Sequence, residues 1–479
     1  MYKSVPLFFS PIFKARYVEG SFIMENMDQK SLYYLEKAPV SKAIMHMVLP
    51  MMLSFIATII YNITDAYFIG KLNNTAMMAA VTLALPFSSV LMAFGHLFGV
   101  GSGTYVSRLL GEQKAGKAKN VSSINFWSSI LMGIIVMAVC IPLLTPIMGV
   151  LGTDNETFTH TRNFVLILVL GSPLVIAAIS LEEAVRAEGA STASMIGMIS
   201  GVVVNIILNP IFIFVLHLNV MGSALATVLG NLASVGWYIY YLQKKSTVQS
   251  VSLKQFKPTV EIYTNILKVG VSAFLLDGFM VITSLLFNNY SMLYGDNVIA
   301  GFGISQRIIQ VVDFISMSFA MGSVPLIAYA YSAQNNKRLM EIIKKTILYM
   351  LGIILTLSAI LFVFKTQVIG IFSIDPRVIE IGQRILFAQL CSTVFAALSG
   401  IFTGIFQAFG TGVQSTVMSV LRGIIFIPIL ILGNIFFAVN GVIWAMTISE
   451  GIAAFAGIML WLGIREKILK HLLVVPEHE

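Results

Sequence analysis

Charged residues are scarce in this sequence. Asp, Glu, Lys and Arg together make up 11% of its 479 residues, whereas about 25% is usual in soluble domains. Hydrophobic residues account for 57%, and the mean hydropathy is +0.88. This balance excludes a water-soluble globular protein. Because the apolar runs are long enough to cross a bilayer, the sequence predicts one all-α polytopic membrane protein rather than several soluble domains.

Cysteine and the common catalytic motifs are also scarce or missing. The two cysteines, Cys140 and Cys391, each lie inside an apolar run, and the six histidines have no metal-ligand spacing. We therefore expect neither a disulfide framework nor a metal site. The sequence has no phosphate-binding loop of the form GxxxxGKS or GxxxxGKT, and no HExxH or GxSxG motif. We expect no cofactor and no enzymatic activity, so that any transport would be driven by an ion gradient.

Twelve apolar runs of about 20 or more residues are separated by Gly, Pro or charged clusters. They cover residues 43–70, 76–106, 122–148, 162–185, 192–216, 220–243, 266–294, 297–331, 341–365, 379–408, 412–437 and 439–463. The sequence therefore predicts twelve transmembrane helices.

Basic residues are concentrated in the N-terminal tail, the C-terminal tail and the even-numbered loops. In these loops they are Arg108, Lys114, Lys117 and Lys119, then Lys244, Lys245, Lys254, Lys257 and Lys268, and then Lys337, Arg338, Lys344 and Lys345. The odd-numbered loops are nearly bare of them. Short cytoplasmic loops retain positive charge, so both termini are predicted to be cytoplasmic. The scattered basic residues form no stripe for nucleic acid, despite the net charge of +8.

The N-terminal 22 residues have neither a long apolar stretch nor a small-residue cleavage site, so we expect no signal peptide. Met24 and Met27 are alternative starts. The sequence leaves open whether residues 1–23 belong to the native protein.

The two halves of the chain resemble each other at an offset of 221 residues. FGVGSGTYVSRLLGEQ at 98–113 lies over FAMGSVPLIAYAYSAQ at 319–334, and RAEG at 186–189 lies over QAFG at 407–410. Repeats of six spans share one orientation, which predicts two pseudo-symmetric lobes related by an axis along the membrane normal. The predicted parts are a cytoplasmic tail at 1–42, an N-lobe at 43–243, a cytoplasmic linker at 244–265, a C-lobe at 266–463 and a second tail at 464–479.

Several stretches, in this order along the chain, resemble the multidrug and toxic compound extrusion (MATE) family and its MepA-like branch of bacterial exporters. They are LYYLEKAPVSKAIMHMVLPMM, FGVGSGTYVSRLLG, LEEAVRAEG, VNIILNPIFIF and SVPLIAY. The resemblance implies two six-helix lobes around a central cleft in the bacterial inner membrane. It also implies export of amphipathic organic cations in exchange for protons or sodium. Lipids and these cations are the partners that we expect, and the chain is predicted to be a monomer.

Asp65 is the clearest candidate for ion coupling. A carboxylate at the centre of a membrane helix costs about 2.5 to 3.5 kcal/mol, so it needs a partner, a wet cavity or a proton. Tyr61 precedes it by one helical turn. In the resembling family this pair belongs to a cation site in the N-lobe, to which the fifth and sixth helices contribute. The matching positions here are Asn205, Asn209 and Thr227.

Asn209 departs from the pattern, because some family members have aspartate at this position. A pocket with one carboxylate is a weaker sodium site, since hard cations favour several oxygen ligands and negative charge. Proton coupling is therefore favoured over sodium coupling. The alternative is that Asp65 caps a helix and contacts its neighbours without a coupling role.

Other polar residues inside the spans are candidates for the cleft or for a second coupling site. Asp277 is either a second coupling carboxylate, an anionic contact for drug, or half of an ion pair with Arg307. Gln306, Gln310 and Asp313 form a stripe on the eighth helix, which either lines the cleft or serves packing between helices. Glu182 either attracts cations to the mouth of the cleft or forms an interfacial ion pair with Arg186 in which the long side chain reaches the headgroups. Glu450 and Arg422 are expected to pair across the C-lobe.

The function that these observations favour is secondary active multidrug efflux by alternating access. One alternative is a flippase for a lipid-linked saccharide, which would need a cationic cleft for the pyrophosphate. A membrane-embedded enzyme or receptor is disfavoured by the duplicated halves and by the missing catalytic motifs.

Overall fold

The computed structural model describes residues 29–471, and those residues form helices joined by short loops. The alternative starts and the ends of both predicted tails lie outside them. The first ten long helices are α1 Val40–Gly70, α2 Thr75–Gly111, α3 Ala115–Cys140, α4 Phe158–Ala187, α5 Ser191–Pro210, α6 Asn219–Lys244, α7 Val260–Met292, α8 Asp296–Ser332, α9 Asn336–Val363 and α10 Pro376–Ala408. Short helices cover Gln29–Glu36, Leu144–Val150 and Lys365–Gly370.

The last two spans follow one another almost without a loop. Helices Gly412–Ile424 and Phe426–His471 are separated by a single turn residue, and together they include an apolar segment of 54 residues at Gly412–Arg465. At a rise of about 1.5 Å per residue this segment is far longer than a bilayer is thick. The backbone leaves helical geometry at Ala438 (φ 48°), which divides the segment into α11 (412–437) and α12 (439–471). The prediction of an all-α protein with two lobes of apolar spans is confirmed.

The backbone repeats at the same offset as the sequence. Left-handed φ values occur at Gln113 and Gln334, at Gly189 and Gly410, and at His217 and Ala438, and the members of each pair are 221 residues apart. Such values are uncommon outside glycine. Their recurrence at helix ends shows that the two halves turn the chain in the same way at the same places.

Each lobe also packs its helices in the same way. In the N-lobe, α2 packs against α4 and α1 packs against α5. In the C-lobe the corresponding pairs are α8 with α10 and α7 with α11. The lobes meet along two seams related by the same repeat, the α2–α7 seam and the α1–α8 seam, and α2 also contacts α8.

Glycine permits the closest approach in the α2–α7 seam. A Cβ atom built on Gly270 would lie 1.8 Å from the carbonyl oxygen of Leu97, and one built on Gly101 would lie 2.2 Å from that of Ile266. Both distances are far below van der Waals contact, so a larger residue at either position would force the helices apart. The α1–α8 seam is packed through side chains, with Phe55 stacked on Phe314 at a centroid distance of 4.9 Å.

The lobes share an apolar core at one end of the molecule and have separate cores at the other. The shared core includes Val48 and Phe98 of the N-lobe together with Phe319 and Phe406 of the C-lobe, and it lies near the even-numbered loops. Near the odd-numbered loops, one core consists of N-lobe residues such as Phe87, Leu91 and Phe164. Another consists of C-lobe residues such as Phe302, Ile385 and Phe426. The lobes are thus joined at the even-loop end, and a cleft between them opens towards the odd-numbered loops.

Candidate ion-coupling site

Asp65 lies in the N-lobe, where α1 meets α5 and α6. Its Oδ1 atom accepts a hydrogen bond of 2.7 Å from Asn209 Nδ2 and one of 2.5 Å from Ser223 Oγ. Asn209 and Ser223 are fully buried, and Asp65 is half-buried. The carboxyl group is therefore held by two polar partners from two other helices.

A second set of contacts lies one helical turn away on the same three helices. The hydroxyl groups of Tyr61 and Thr227 are 3.0 Å apart, and Asn205 Nδ2 donates to Thr227 Oγ1 at 3.2 Å. The structure therefore brings together all five residues predicted for the N-lobe pocket.

The helical repeat explains how three helices build this pocket. Each contributes two residues four positions apart, and such residues lie on one face of a helix. The pairs are Tyr61 and Asp65 on α1, Asn205 and Asn209 on α5, and Ser223 and Thr227 on α6. Pro210 ends the regular turns of α5, and a π-helical turn follows at Ile211–Val215. This matches the loss of a backbone donor at proline.

Two amide oxygens of the pocket remain available. Asn205 Oδ1 and Asn209 Oδ1 are buried and have no hydrogen-bond partner among the described residues. An unpaired buried acceptor costs free energy of about 1 to 3 kcal/mol, so these oxygens are free to accept from water or from a protonated group.

Ser223 is a member of the pocket that the sequence analysis missed. It precedes Thr227 by four residues in GSALATVLG, so the spacing that links Tyr61 to Asp65 could have found it.

Asp277 faces α2 rather than the α8 residue predicted as one of its possible partners. Its Oδ2 atom lies 2.7 Å from His96 Nδ1, whereas Arg307 is exposed on α8. The predicted alternative of an ion pair with Arg307 is therefore wrong, because α7 packs closely against α2. His96 was missed, although a histidine inside an apolar span is itself a signal.

The polar stripe on α8 is only partly turned towards other helices. Gln306 Oε1 accepts a hydrogen bond of 3.2 Å from Gln389 Nε2 on α10. Gln310 is exposed and Asp313 is half-buried. Asp313 lies within electrostatic range of Arg422 and Glu450, so the stripe extends towards the polar interior of the C-lobe.

Arg422 and Glu450 pair across the C-lobe as predicted. Arg422 Nη2 lies 3.1 Å from Glu450 Oε1, and Arg422 Nε lies 3.2 Å from the same oxygen. Ser399 Oγ donates to Glu450 Oε2 at 2.6 Å. The pair therefore connects α10, α11 and α12.

Arg186 does not reach the headgroups, contrary to the interfacial interpretation. It is 3% exposed, its guanidinium pairs with Glu183, and its distance to Glu182 is 3.9 Å. Glu183 and Arg186, together with Gln407 and Pro325 of the C-lobe, line a cavity of about 30 Å³ where the lobes meet. Burial follows because the shared core covers the end of α4.

Comparison with known proteins identifies the class of membrane protein that these features define. A sequence model of the MatE family matches residues 50–211 and again residues 271–432, so both ends of the two matches are 221 residues apart. The chain belongs to the MatE family. It is a multi-pass membrane transporter and not an enzyme.

Among individual proteins, the chain is similar to the multidrug export protein MepA of Staphylococcus aureus (strain NCTC 8325 / PS 47). The two are 40% identical over 442 residues, which cover 92% of this chain and 98% of that protein. The MepA of Staphylococcus haemolyticus (strain JCSC1435) is 38% identical over 442 residues, which again cover 92% of this chain and 98% of that protein. The predicted resemblance to the MepA-like branch is confirmed.

Solved structures show the same fold. A multidrug resistance MATE family transporter of the MOP superfamily in an outward-facing conformation matches with a TM-score of 0.84 at 23% identity, over 91% of this chain and 98% of that one. A MATE crystal structure in the bent conformation matches with a TM-score of 0.85 at 23% identity, over 92% of this chain and 99% of that one.

Proposed function

We propose that this protein is a multidrug exporter that exchanges protons for amphipathic organic cations by alternating access, with Asp65 as the coupling carboxylate. The observation that carries the proposal is the pair of hydrogen bonds from Asn209 and Ser223 to a carboxylate inside a membrane lobe. A group held in this way binds a cation or a proton in turn, depending on which side of the membrane it faces.

The partners of Asp65 favour a proton over sodium. A hydroxyl such as that of Ser223 donates to a carboxylate and accepts from a carboxylic acid, and the amide of Asn209 presents either a donor or an acceptor. The pocket therefore serves both protonation states of Asp65 without moving a helix. Sodium would need several oxygens around it and gains from more than one negative charge, and Asn209 supplies no charge.

The drug-export part of the proposal is supported by the similar proteins that are named multidrug export protein MepA. Carboxylates within the spans, such as Asp65 and Asp313, suit cationic ligands. The flippase alternative needs several exposed cations together for a pyrophosphate. Arg422 is paired with Glu450 and Arg186 with Glu183. Of Arg186, Arg307 and Arg422, only Arg307 is therefore an exposed, single cation. Export of organic cations is therefore the better reading of the cleft.

The proposed orientation places both termini and the even-numbered loops in the cytoplasm, so that the cleft opens outward in this conformation. The support is the concentration of Lys and Arg in those loops. Reporter fusions in the 244–265 linker should show cytoplasmic activity. An external linker would contradict both the orientation and the outward opening.

The coupling ion can be tested with purified protein in proteoliposomes that hold an acidic lumen. Ethidium added outside should collapse the pH gradient equally fast in sodium-free choline buffer and in sodium buffer, and Asp65→Asn should abolish the collapse. The matched control is Glu380→Gln, which removes one partner of an exposed pair with Arg384 and should behave as the unchanged protein. A requirement for sodium, or normal exchange by Asp65→Asn, would contradict the proposal.

A further inference from the structure

The two seams between the lobes differ in one polar contact. In the α2–α7 seam, His96 Nδ1 and Asp277 Oδ2 are 2.7 Å apart, and the two side chains are 14% and 9% exposed. The positions 221 residues away are Met317 on α8 and Ile56 on α1, and both side chains are exposed. An ionisable pair that joins α2 to α7 thus corresponds to two apolar residues on α8 and α1.

The pair lies where the joined part of the molecule ends and the cleft begins. Gly270, seven residues before Asp277 and on the same helix face, is pressed against the Leu97 carbonyl. One turn further on, Phe274 packs against Phe94 at a centroid distance of 5.1 Å. Immediately after Asp277, a Cβ atom built on Gly278 would meet nothing within 4 Å. Asp277 therefore continues the α2–α7 contact one turn beyond Phe274, and the neighbouring Gly278 faces open space.

The surroundings of His96 are dominated by carboxylates. Asp277 faces it from α7, and Glu182 and Glu183 lie within electrostatic range on α4. Arg186 is the nearby cation, and it is paired with Glu183. Two carboxylates and one arginine of α4 thus lie near the pair.

We propose that His96 and Asp277 form a second proton-binding position, which exists while the lobes are joined at the even-loop end and is broken when they separate there. Separating an imidazolium from a carboxylate in an apolar seam leaves two unpaired charges, which is costly. Transfer of the proton from His96 Nδ1 to Asp277 Oδ2 gives a neutral imidazole and a carboxylic acid. No charge is created or lost, and the two neutral groups part at lower cost.

The cycle then closes without any other reactant. The Asp277 carboxylic acid releases its proton to the water that enters the opened seam from the even-loop side. When the lobes rejoin, the imidazole of His96 takes a proton from the cleft and the ion pair forms again. One proton has crossed from the cleft side to the even-loop side.

This inference rests on the proposed exchange at Asp65 and adds a second proton to it. Two protons entering for one monovalent drug leaving would move one net positive charge in each cycle. Transport would then respond to membrane potential, which supplies about 2.3 kcal/mol per elementary charge per 100 mV. Exchange at Asp65 alone would move no net charge and would respond only to the pH gradient.

The first test measures ethidium transport into phosphatidylethanolamine and phosphatidylglycerol vesicles at equal pH on both sides, with the potential set by potassium and valinomycin. The potential alone should drive transport by the unchanged protein. Asp277→Asn and His96→Asn should each lose this response but keep transport driven by a pH gradient. Indifference of the unchanged protein to potential, or an unchanged response in both variants, would overturn the inference. Failure of the Asp65 proposal would appear separately, as normal pH-driven exchange by Asp65→Asn.

The second test does not depend on transport, and it applies if a variant pumps poorly. Spin labels at Lys114→Cys and Lys337→Cys, which are exposed in the two corresponding even-numbered loops, report the distance between the lobes. The background is Cys140→Ser, Cys391→Ser and Asp65→Asn, so that Asp65 contributes no titration.

In that background the label distance should still change with pH. Adding Asp277→Asn should remove the change, and adding Glu380→Gln instead should leave it. A pH response that survives Asp277→Asn, or no response before that change is added, would contradict the inference.

Discussion

The two lobes have the same fold but opposite chemistry at corresponding positions. The residues of the N-lobe pocket, Tyr61, Asp65, Asn205, Asn209, Ser223 and Thr227, correspond at the 221-residue offset to Ile282, Leu286, Phe426, Leu430, Trp444 and Ile448. In the C-lobe, Phe426 and Leu430 belong to a packed apolar core against which Leu286 and Trp444 lie. Corresponding helices therefore form a polar pocket in the N-lobe and an apolar region in the C-lobe, where Ile282 and Ile448 are exposed.

The reverse holds for the charged pair of the C-lobe. Arg422 and Glu450 correspond to Gly201 and Leu229 of the N-lobe. The repeat thus fixes where the helices lie, while side chains decide independently in each lobe which of those places carries charge. Shared fold alone could not have located the proposed coupling site.

The largest expected effect on efflux comes from comparing substitutions at corresponding positions of the two lobes. Asp65→Asn should reduce ethidium efflux from energised cells to background, because the amide keeps the shape of the carboxylate but exchanges no proton. Leu286→Met, at the corresponding C-lobe position, should retain most of the efflux, since it conserves volume in an apolar core. Membrane abundance of each variant is the control. Equal losses would show that the lobes share the coupling role.

Arg422→Met should lower the stability of the protein, with a smaller effect on its transport rate. The Arg422 and Glu450 side chains are 19% and 16% exposed, so removing one partner leaves a half-buried charge unpaired, at a cost of up to about 3 kcal/mol. The melting temperature in detergent should therefore fall by several degrees, and the double variant Arg422→Met with Glu450→Gln should recover much of the loss. Arg384→Met, in an exposed pair, should cost at most about 1 kcal/mol. A melting temperature unchanged by Arg422→Met would show that the C-lobe pair is not structural.

Asn209→Asp should change the ion dependence of the N-lobe pocket by a smaller amount. A second carboxylate beside Asp65 adds the charge and oxygen that a sodium ion favours. We expect sodium to stimulate ethidium exchange by this variant several-fold at neutral pH. Asn205→Asp, one helical turn away, tests whether the position of the added carboxylate matters. If sodium stimulates neither variant, the number of carboxylates in the pocket does not determine whether the protein uses sodium or protons.

Glu182→Gln should have the smallest effect. Arg186 keeps Glu183 as its close partner, and its distance to Glu182 is already 3.9 Å. Efflux should fall by less than about two-fold, as expected for a weak, replaceable ion pair. A loss comparable to that of Asp65→Asn would instead place Glu182 in the transport path.

The sequence predicted the parts of this molecule that depend on spacing along one helix. Runs of apolar residues predicted the all-helical fold, and the four-residue spacing of Tyr61 and Asp65 predicted a shared helix face. Contacts between distant helices depend on how one helix is aligned against another, and a single sequence does not give this alignment. The partner of Asp277 was therefore missed, because nothing in SAFLLDGFM indicates that α7 approaches α2 through Gly270.

Arg186 shows a further limit of the same kind. Its place at the end of α4 suggested a surface position, since long basic side chains commonly extend towards headgroups. The shared core, to which α8 and α10 contribute, covers that end of α4 and buries the guanidinium. A helix end is exposed or buried according to the opposite lobe, which lies more than 100 residues further along the chain.

The distribution of apolar cores also bears on the order in which the chain folds. The N-lobe cores consist of residues up to Val251, so they can form while the C-lobe is still being synthesised. The shared core also requires Phe406 and Met418, which emerge from the ribosome about 160 residues later. Domains generally fold as units from the N-terminus during synthesis. The even-loop end is consequently assembled after the N-lobe cores, and a chain stalled before α10 would contain the N-lobe cores without the contacts that close the cleft at that end.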